Sequence, residues 1–564
     1  MWTCNRDDHR GIQNPVTVFT RRMKPHQCAG SIDMGTGISR RFWLFAVRNC
    51  LGGTVLAAAM TSAAAADEPG ASARDLARQQ VQTAANEIRV ALSDIQKIPG
   101  SFPAVSAVIV QGDDTPLMFV HGLAHAGQPD RVDRTSQFYI ASQTKSFVAL
   151  LAARLDESGV LPLDTTLAQI WPQLILPAPA DPTRITMVDL LSHQESLRTD
   201  TLNFLTAYVR AVPAADYPDL LARYTEGRSA GFRYSNLGDL IYGAALETRT
   251  GRPWQAWLQQ EVLQPLRLDE VYSHSSAVPA HRLTWNHRWD GQAWIAYPPK
   301  PDELMHAAGG LLASSNDMAA WMRVNLRRRS PTGLPSAQSF ELAQRPLAKA
   351  NLSDGEFVCD GYSLGWYSCA YKHQPVLMHP GSYRGVVSFT VLLPATESGF
   401  SLVVNSDSAI EGLGLELIKA FIGTATGQGS ETERLRKAVA DYPGRLERLV
   451  AGRREAVQKA RSEDAWGGWT WSPSRRETKR YVGTFHSDRL GTLVVLQGAA
   501  GLEARLGAMR LSLTPASAGL FGISESALDA PEVFRYADDV GSLRWSDDTF
   551  TRVDAAPAKT PPDE

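Results

Sequence analysis

The sequence has almost no surplus of charge: 57 lysines and arginines stand against 59 aspartates and glutamates in 564 residues, a formal net charge of −2. With no dense basic run either, the chain lacks the electrostatic footprint of a nucleic-acid partner. It also lacks a His-Glu-x-x-His stretch, and His281 and His287, in "HRLTWNHRW", read more simply as loop residues. A metal centre therefore has no support, and no cofactor is expected. Cysteine is scarce, with five in all. So is lysine: only eleven of the basic residues are lysine, which makes a lysine in a chemically suggestive place more informative than usual. What is present is the composition of a globular protein, 44% hydrophobic and 21% charged, long enough for a large domain and at least one smaller one.

Near the N-terminus, an apolar, alanine-rich run from Leu51 to Ala66 is too short for a comfortable membrane span. It follows Ser39-Arg40-Arg41-Phe42-Trp43-Leu44 and ends in Ala64-Ala65-Ala66 before Asp67 and Glu68. Charged head, apolar middle and small residues at the end are the parts of a secretory signal peptide. The reading is a leader and signal over residues 1–66, cleaved near Ala66, with an uncleaved anchor as the alternative. The "SRRFWL" stretch resembles a twin-arginine signal. The expected location is the periplasm or the exterior, with no stable membrane span after cleavage. Because 38 residues precede Ser39, translation is expected to start at Met23 or Met34, or the leader to be disordered.

Setting the leader aside removes Cys4, Cys28 and Cys50. Cys359 and Cys369 remain, in "CDGYSLGWYSC", a spacing that a hairpin brings together. In an oxidising compartment a disulfide and a pair of free buried thiols are the two alternatives.

Residues 75–97 carry apolar side chains at helical spacing and read as an entry helix. "AVSAVIVQGDDTPLMFVHGLA" follows as a β-hairpin. Residues 160–330 read as mostly helical, residues 356–405 as β-rich, and "AIEGLGLELIKAFIGTA" as a closing helix. Strands at both ends with helices between imply an α+β domain over residues 75–425, its antiparallel sheet assembled from the two ends. Residues 426–475 are a charged helical linker, broken at Pro443-Gly444. Residues 476–555 contain short strands at close spacing, a small all-β meander or barrel. The tail, 556–564, is expected to be disordered.

Three short stretches carry chemistry. In "ASQTKSFVALLAARL", Ser142 and Lys145 are three apart at the head of an apolar helix and share one face. Serine is a poor nucleophile until a neighbour takes its proton, and a lysine of depressed pKa does so. A helix start favours the neutral amine and offers N–H groups to an oxyanion. The plainer reading is a capping serine beside a surface lysine. In "GFRYSNLGDL", Tyr234 and Asn236 sit in a loop before a helix. Tyr234 relays protons if nearby cations lower its pKa, and Asn236 holds a substrate amide or Lys145, unless it only caps the helix. In "VLMHPGSYRGVVSFTVLLP", Gly381 lets a ligand approach the backbone after His379, and a strand edge offers the N–H of Ser382.

Taken in order, Ser-x-x-Lys, Tyr-x-Asn and His-x-Gly resemble the signature of the serine β-lactamase and penicillin-recognising hydrolase superfamily, in the branch of class C β-lactamases, D-amino-acid peptidases and related esterases. "ITMVDLLSHQESL", "AAGGLLASSNDMAAWM" and "GYSLGW" resemble lesser landmarks of that family, the last as the strand before the His-x-Gly strand. The resemblance covers about residues 80–425, and the C-terminal strands resemble a lipocalin-like appendage. It implies a β-lactamase/transpeptidase-like fold with a helical subdomain. It also implies an acyl-enzyme on Ser142, with Lys145 and Tyr234 moving its proton. Asn236, His379, Gly381 and Ser382 would bind substrate, the N–H groups of Ser142 and Ser382 would form the oxyanion hole, and His379 would sit near Tyr234 and tune it.

Two departures modify this. Pro380, lacking hydroxyl and N–H, weakens the grip on a substrate carboxylate that the family's Lys-Thr-Gly provides, favouring peptidase or esterase work over efficient β-lactam hydrolysis. His193-Gln194-Glu195-Ser196 lacks a glycine expected in its turn, which implies a reshaped loop. The partners expected are a small molecule or peptide substrate, with no expectation for oligomeric state. Two rivals stand beside this reading. One is a Gly-x-Ser-x-Gly elbow at "GYSLG", making Ser363 the nucleophile, which needs a strand before and a helix after. The other is a catalytically silent cell-envelope binding protein on the same fold.

Overall fold

The computed structural model describes residues 71–408, 410–429 and 431–554; the leader, the cleavage point near Ala66 and the tail 556–564 lie outside them. The chain enters through helix α1 (Ala71–Ile95), whose Val81, Ala84, Ala85, Ile88, Leu92 and Ile95 form a buried stripe at helical spacing. Strands β1 (Ala104–Gln111) and β2 (Asp114–Gly122) make the expected hairpin. Helix α2 (Thr144–Glu157) is apolar on nearly every side and is buried along most of its length. A mostly helical stretch follows, including α3 (Leu237–Thr250) and α4 (Ser315–Arg327). Phe147 of α2 stacks on Trp321 of α4, ring centroids 3.7 Å apart.

The chain then lays down β3 (Ala348–Asp354), β4 (Phe357–Tyr362), β5 (Tyr367–Tyr371), β6 (Gln374–Tyr383), β7 (Val386–Leu393) and β8 (Ser398–Val404). With β1 and β2 they form one antiparallel eight-stranded sheet in the order β2-β1-β8-β7-β6-β5-β4-β3. The β1–β8 pairing, Val105 opposite Val404 through Gln111 opposite Ser398, joins the two ends of the domain. Alternate residues of β1 face two different cores: Val105, Ala107 and Ile109 pack with α1 and α5 (Ile410–Ala425), while Ala104, Val108 and Val110 pack with α2 and the helical region. A sheet covered on both faces explains why β7, "VVSFTVLL", is apolar almost without interruption.

Local differences from the sequence reading have simple causes. "GYSLGW" is a strand end and a tight turn rather than a strand: β4 stops at Tyr362 and β5 starts at Tyr367. The charged segment breaks at Asp441, between α6 (Thr432–Ala440) and α7 (Tyr442–Arg461). Pro443 lies in the first turn of α7, where a missing N–H costs nothing.

The C-terminal strands are β9 (Gly483–Ser487), β10 (Gly491–Gln497), β11 (Leu502–Leu506), β12 (Met509–Ser517), β13 (Leu520–Ser524), β14 (Glu532–Tyr536), β15 (Ser542–Trp545) and β16 (Asp548–Arg552). They close into a barrel through the β9–β16 pairing. The run "GSLRWSDDTFTRV" supplies two of them, because Ser546, at φ +53, turns the chain back. The barrel interior is filled by its own side chains, among them Phe485, Leu493, Phe521, Phe534 and Phe550, as an eight-stranded barrel of this size permits. Leu205 and Val209 of the helical region are part of the same core. Arg288 joins the two parts, pairing with Asp407 at 3.1 Å and with Asp529 at 2.6 Å. Among the described residues no helix is long and apolar enough to cross a membrane.

Candidate active site

The chain approaches α2 through a strained turn. Ala141 sits at φ +50, a left-handed conformation that costs a non-glycine residue about 1–2 kcal/mol, and Ser142 follows in a single 3₁₀ turn. The turn is held from several sides. The Thr144 hydroxyl donates to Ala141 O at 2.7 Å and accepts from the N–H of Gly310 at 3.1 Å and of Leu311 at 3.2 Å. The Tyr139 hydroxyl donates to Gly309 O.

Lys145 is fully buried and reaches back along α2 to Ser142, Nζ to Oγ 3.2 Å. Its other contacts are Asn236 Oδ1 at 2.8 Å and Ala308 O at 2.7 Å. A surface lysine beside a capping serine is thus excluded. Asn236 heads α3 but makes no side-chain cap, so its amide oxygen serves Lys145. Burial lowers the Lys145 pKa to about 8, against a smaller pull upward from Asp239. A minority of neutral amine, far larger than an ordinary lysine has, is therefore present near physiological pH, within reach of the Ser142 proton.

Tyr234 hydrogen-bonds with Ser142, and Lys145 Nζ lies 5.0 Å from its ring centroid. The expectation that nearby cations lower its pKa is not met. Burial dominates and raises it above the ordinary value, so Tyr234 is a neutral phenol, able to pass a proton without holding a charge.

His379 differs from its expected role. Its ring lies 5.9 Å from that of Tyr234, but its polar atoms are engaged elsewhere: Nδ1 with Pro380 O at 2.7 Å and Nε2 with the Tyr362 hydroxyl at 3.1 Å. A carbonyl only accepts, so Nδ1 carries the proton and Nε2 accepts from Tyr362. Burial depresses its pKa to about 3, leaving it neutral and without charge to tune Tyr234. It orders an aromatic cluster with Tyr362 and Tyr367 behind the site.

Gly381 has a different use from the one expected. A Cβ there would lie 2.5 Å from Ile140 O, 2.5 Å from Ser388 Oγ and 3.1 Å from Ser142 N. The missing side chain makes room for the Ile140–Ser142 turn rather than for a ligand, and so sets β6 against the head of α2. β5 pairs with β6 only through Tyr367 opposite Met378, whereas β6 continues to Tyr383. Beyond Met378, β6 therefore has no β5 partner on that edge, and Pro380, Gly381 and Ser382 line the cleft.

Ser142, Tyr234, Asn236, Gly381 and Ser382 share a cleft, with Lys145 buried beneath it. Cys359 and Cys369 lie elsewhere, opposite each other on β4 and β5, and are joined by a disulfide. Ser363, the rival nucleophile, is buried in the β4–β5 turn with Oγ bonded to Trp366 O at 3.1 Å, and a strand rather than a helix follows. Gly365 in the same motif lets the turn approach α2, since a Cβ would lie 2.3 Å from Lys145 O. The turn lacking glycine at Ser196 needs none: the left-handed residue is His193, at φ +57. No group of side chains suited to a metal occurs among the described residues.

The sequence reading missed Thr144, Ala308, Asp239, Tyr362 and Lys300. Ala308 belongs to "AAGGLL" and Tyr362 to "GYSLGW", which had been singled out only as landmarks; Thr144 is an unspecified position of Ser-x-x-Lys, Asp239 follows Tyr-x-Asn in the same stretch, and Lys300 stands in no motif.

The sequence profile of the β-lactamase family matches residues 73–419, more than half of the chain. The chain belongs to the β-lactamase family. A similar sequence within it is penicillin-binding protein 4 of Amycolatopsis lactamdurans, 26% identical over 355 residues that cover 60% of this chain and 88% of the relative. Unguisins hydrolase ungD' of Aspergillus campestris is 25% identical over 324 residues, covering 54% of this chain and 58% of the relative. Among solved structures, the octameric penicillin-binding protein homologue from Pyrococcus abyssi has a TM-score of 0.53 at 15% identity, covering 83% of this chain and 99% of its own. D-amino acid amidase from Ochrobactrum anthropi SV3 has a TM-score of 0.50 at 19% identity, covering 63% and 99%. These structural likenesses establish the β-lactamase-like fold. Within the family's frame, the strained Ser142 turn and the β6 edge are the elements that bring the three motifs to one cleft.

Proposed function

We propose that the protein is a serine hydrolase that works through an acyl-enzyme on Ser142. The observation that carries this reading is the buried Lys145 amine at 3.2 Å from Ser142 Oγ, its pKa depressed to about 8. In the proposed cycle Lys145 takes the Oγ proton as Oγ bonds to an acyl carbon. The backbone N–H groups of Ser142 and Ser382 hold the oxyanion. The bond to the leaving amine or alcohol then breaks, and the proton passes from Lys145 through Tyr234 to that group. Water attacks the acyl-enzyme and the cycle reverses its proton movements. Asn236 keeps Lys145 aimed at Ser142.

Amide and ester bonds fit this site. Peptides containing D-amino acids are favoured first, then small esters and amides, then β-lactams. The family and the solved D-amino acid amidase support a hydrolase of this fold, and Pro380 supports placing β-lactams last. Export to the periplasm or exterior is part of the reading, supported by the leader sequence and by a disulfide of the kind that an oxidising compartment preserves. The test is a serine-reactive phosphonate together with a hydrolysis panel across the three substrate classes. Labelling of the wild type but not of Ser142→Ala is expected. A folded wild-type protein that is not labelled would instead indicate a binding protein on the same fold.

A further inference from the structure

A second lysine enters the same cleft. Lys300 is 4% exposed and lines the wall adjoining Tyr139, His306 and Tyr383. Its Nζ lies 3.2 Å from the Tyr139 hydroxyl, 3.3 Å from His306 Nε2 and 3.5 Å from Gly309 O, and 4.6 Å from the centroid of the Tyr383 ring. Every one of these partners is neutral. Neighbouring carbonyls serve the two lysines: Ala308 O takes Lys145 and Gly309 O faces Lys300. Gly309 O already accepts from Tyr139, so the longest Lys300 contact is the one most easily exchanged.

A buried ammonium normally has an anion beside it, because burying an unpaired charge is costly. Among the described residues Lys300 has no carboxylate partner, and no aspartate or glutamate lines the cleft. The charged groups that act on it, Lys145 and Arg384, are both positive, and Arg384 is already paired with Glu525. Burial and those two charges lower the Lys300 pKa to about 7, so an arriving anion would restore its charge. A ring of tyrosines with one unpaired cation is a place prepared for a small anionic group. Pro380 has removed a hydroxyl and an N–H from the β6 wall, and Lys300 reaches the cleft from a different element.

We propose that Lys300 forms an anion subsite beside Ser142 that takes a carboxylate carried by the substrate, at a distance from the scissile bond. The proposal rests on the serine-hydrolase reading for its place in turnover, but carboxylate binding itself does not require turnover. A charge-assisted hydrogen bond of this kind changes affinity by about tenfold or more.

The experiment has a binding arm and a turnover arm. In the first, glutarate is expected to raise the melting temperature of the wild type and to slow phosphonate labelling of Ser142, while glutaramide at the same concentration does neither. Lys300→Met loses the glutarate effect and Lys300→Arg keeps it in part. In the second, matched esters or amides differing only in carboxylate against carboxamide, placed on the acyl or the leaving side, are compared. The acid is expected to be favoured about tenfold in kcat/KM, mainly through KM, on one of the two sides. In Lys300→Met that ratio falls towards one. Labelling of Ser142 with no difference between glutarate and glutaramide would overturn the subsite and leave the hydrolase reading intact. Glutarate binding lost in Lys300→Met, in a folded protein that the phosphonate never labels, would uphold the subsite and remove the hydrolase reading. If Lys300→Met does not fold, the wild-type glutarate and substrate comparisons decide alone: no preference for the acid in either overturns the proposal.

Discussion

Both large β systems of this chain are built from eight antiparallel strands, but the polar groups they bury are very different. The open sheet lies among charges and hydrogen-bonding groups that are expensive to bury: Lys145, His193, Glu195, Asp239 and His379 are all within 1% of complete burial. In the barrel region the buried polar groups are few, Thr478, Ser487 and Asp548, with Asp548 bonded to Ser487 and paired with Arg489. Closure explains the contrast. A closed barrel pairs every strand edge, so its backbone offers nothing to a ligand, and at eight strands its interior is filled by side chains. In the open sheet β6 outruns β5, and the uncovered end of β6 meets the head of α2. Chemistry collects where pairing stops, and stability where it is complete.

The two are nevertheless coupled. Leu205 and Val209 are rooted in the barrel core, while Ala207 and Tyr208 between them line the cleft. Tyr208 stacks on Tyr383 at the end of β6, ring centroids 5.7 Å apart, and the Tyr383 hydroxyl donates to Ala207 O at 2.8 Å. The barrel thereby holds one wall of the cleft without contributing a reacting group.

The contrast can be broken most sharply at Lys145. Lys145→Met is expected to lower the rate of Ser142 acylation by about 10²–10⁴-fold, measured by mass spectrometry of phosphonate labelling. The same variant should lose only a modest part of its stability, about 1–3 kcal/mol, because Asn236 Oδ1 and Ala308 O lose their donor while the protein is relieved of a buried amine. Phe485→Ala, in the barrel core, should do the opposite. It should lose about 3–5 kcal/mol in chemical denaturation while the acylation rate well below the transition stays near that of the wild type. If the rate instead falls with stability, the hold of the barrel on residues 205–209 extends to Ser142.

Opening the disulfide with Cys359→Ser and Cys369→Ser should cost about 2–3 kcal/mol, from the entropy of a short loop, with little change in acylation because the bond lies in the β4–β5 hairpin. The smallest effect concerns pH. In the proposed cycle the working form of Lys145 is the neutral amine, so acylation is expected to rise as pH increases through about 8. The Asp239 carboxylate favours the ammonium form, so Asp239→Asn should move that rising limb to lower pH by about one unit or less. A limb that stays in place would show that Asp239 does not act on Lys145.

Much of the architecture was legible because it depends on periodicity. The hairpin of β1 and β2, the buried helix α2, the all-apolar β7 and the closely spaced C-terminal strands all show in their residue patterns. The errors were local and had physical causes. "GYSLGW" carries strand-forming residues but is turned by tertiary packing of Gly365 on Lys145. The helix break fell beside Pro443 because proline is tolerated in a first turn. For the site, Ser142, Lys145, Tyr234 and Asn236 could be named because each pair lies within a few residues of the other. The direction of the Tyr234 pKa could not, because it depends on burial by distant segments. Gly381 illustrates the same limit: its identity is plain in the sequence, but the atoms that forbid a Cβ come from residues 140, 142 and 388.

By itself, then, the sequence determined the order of elements, the mixed α and β character and the local pairs of reactive groups, since these follow from spacing along one strand or helix. Only the tertiary structure decided that Lys145 is buried with its pKa lowered and that His379 faces Tyr362. It also decided that the barrel is filled and that Lys300 reaches the cleft without an anion. Each of these depends on desolvation and contact between residues tens to hundreds of positions apart, which no local pattern encodes.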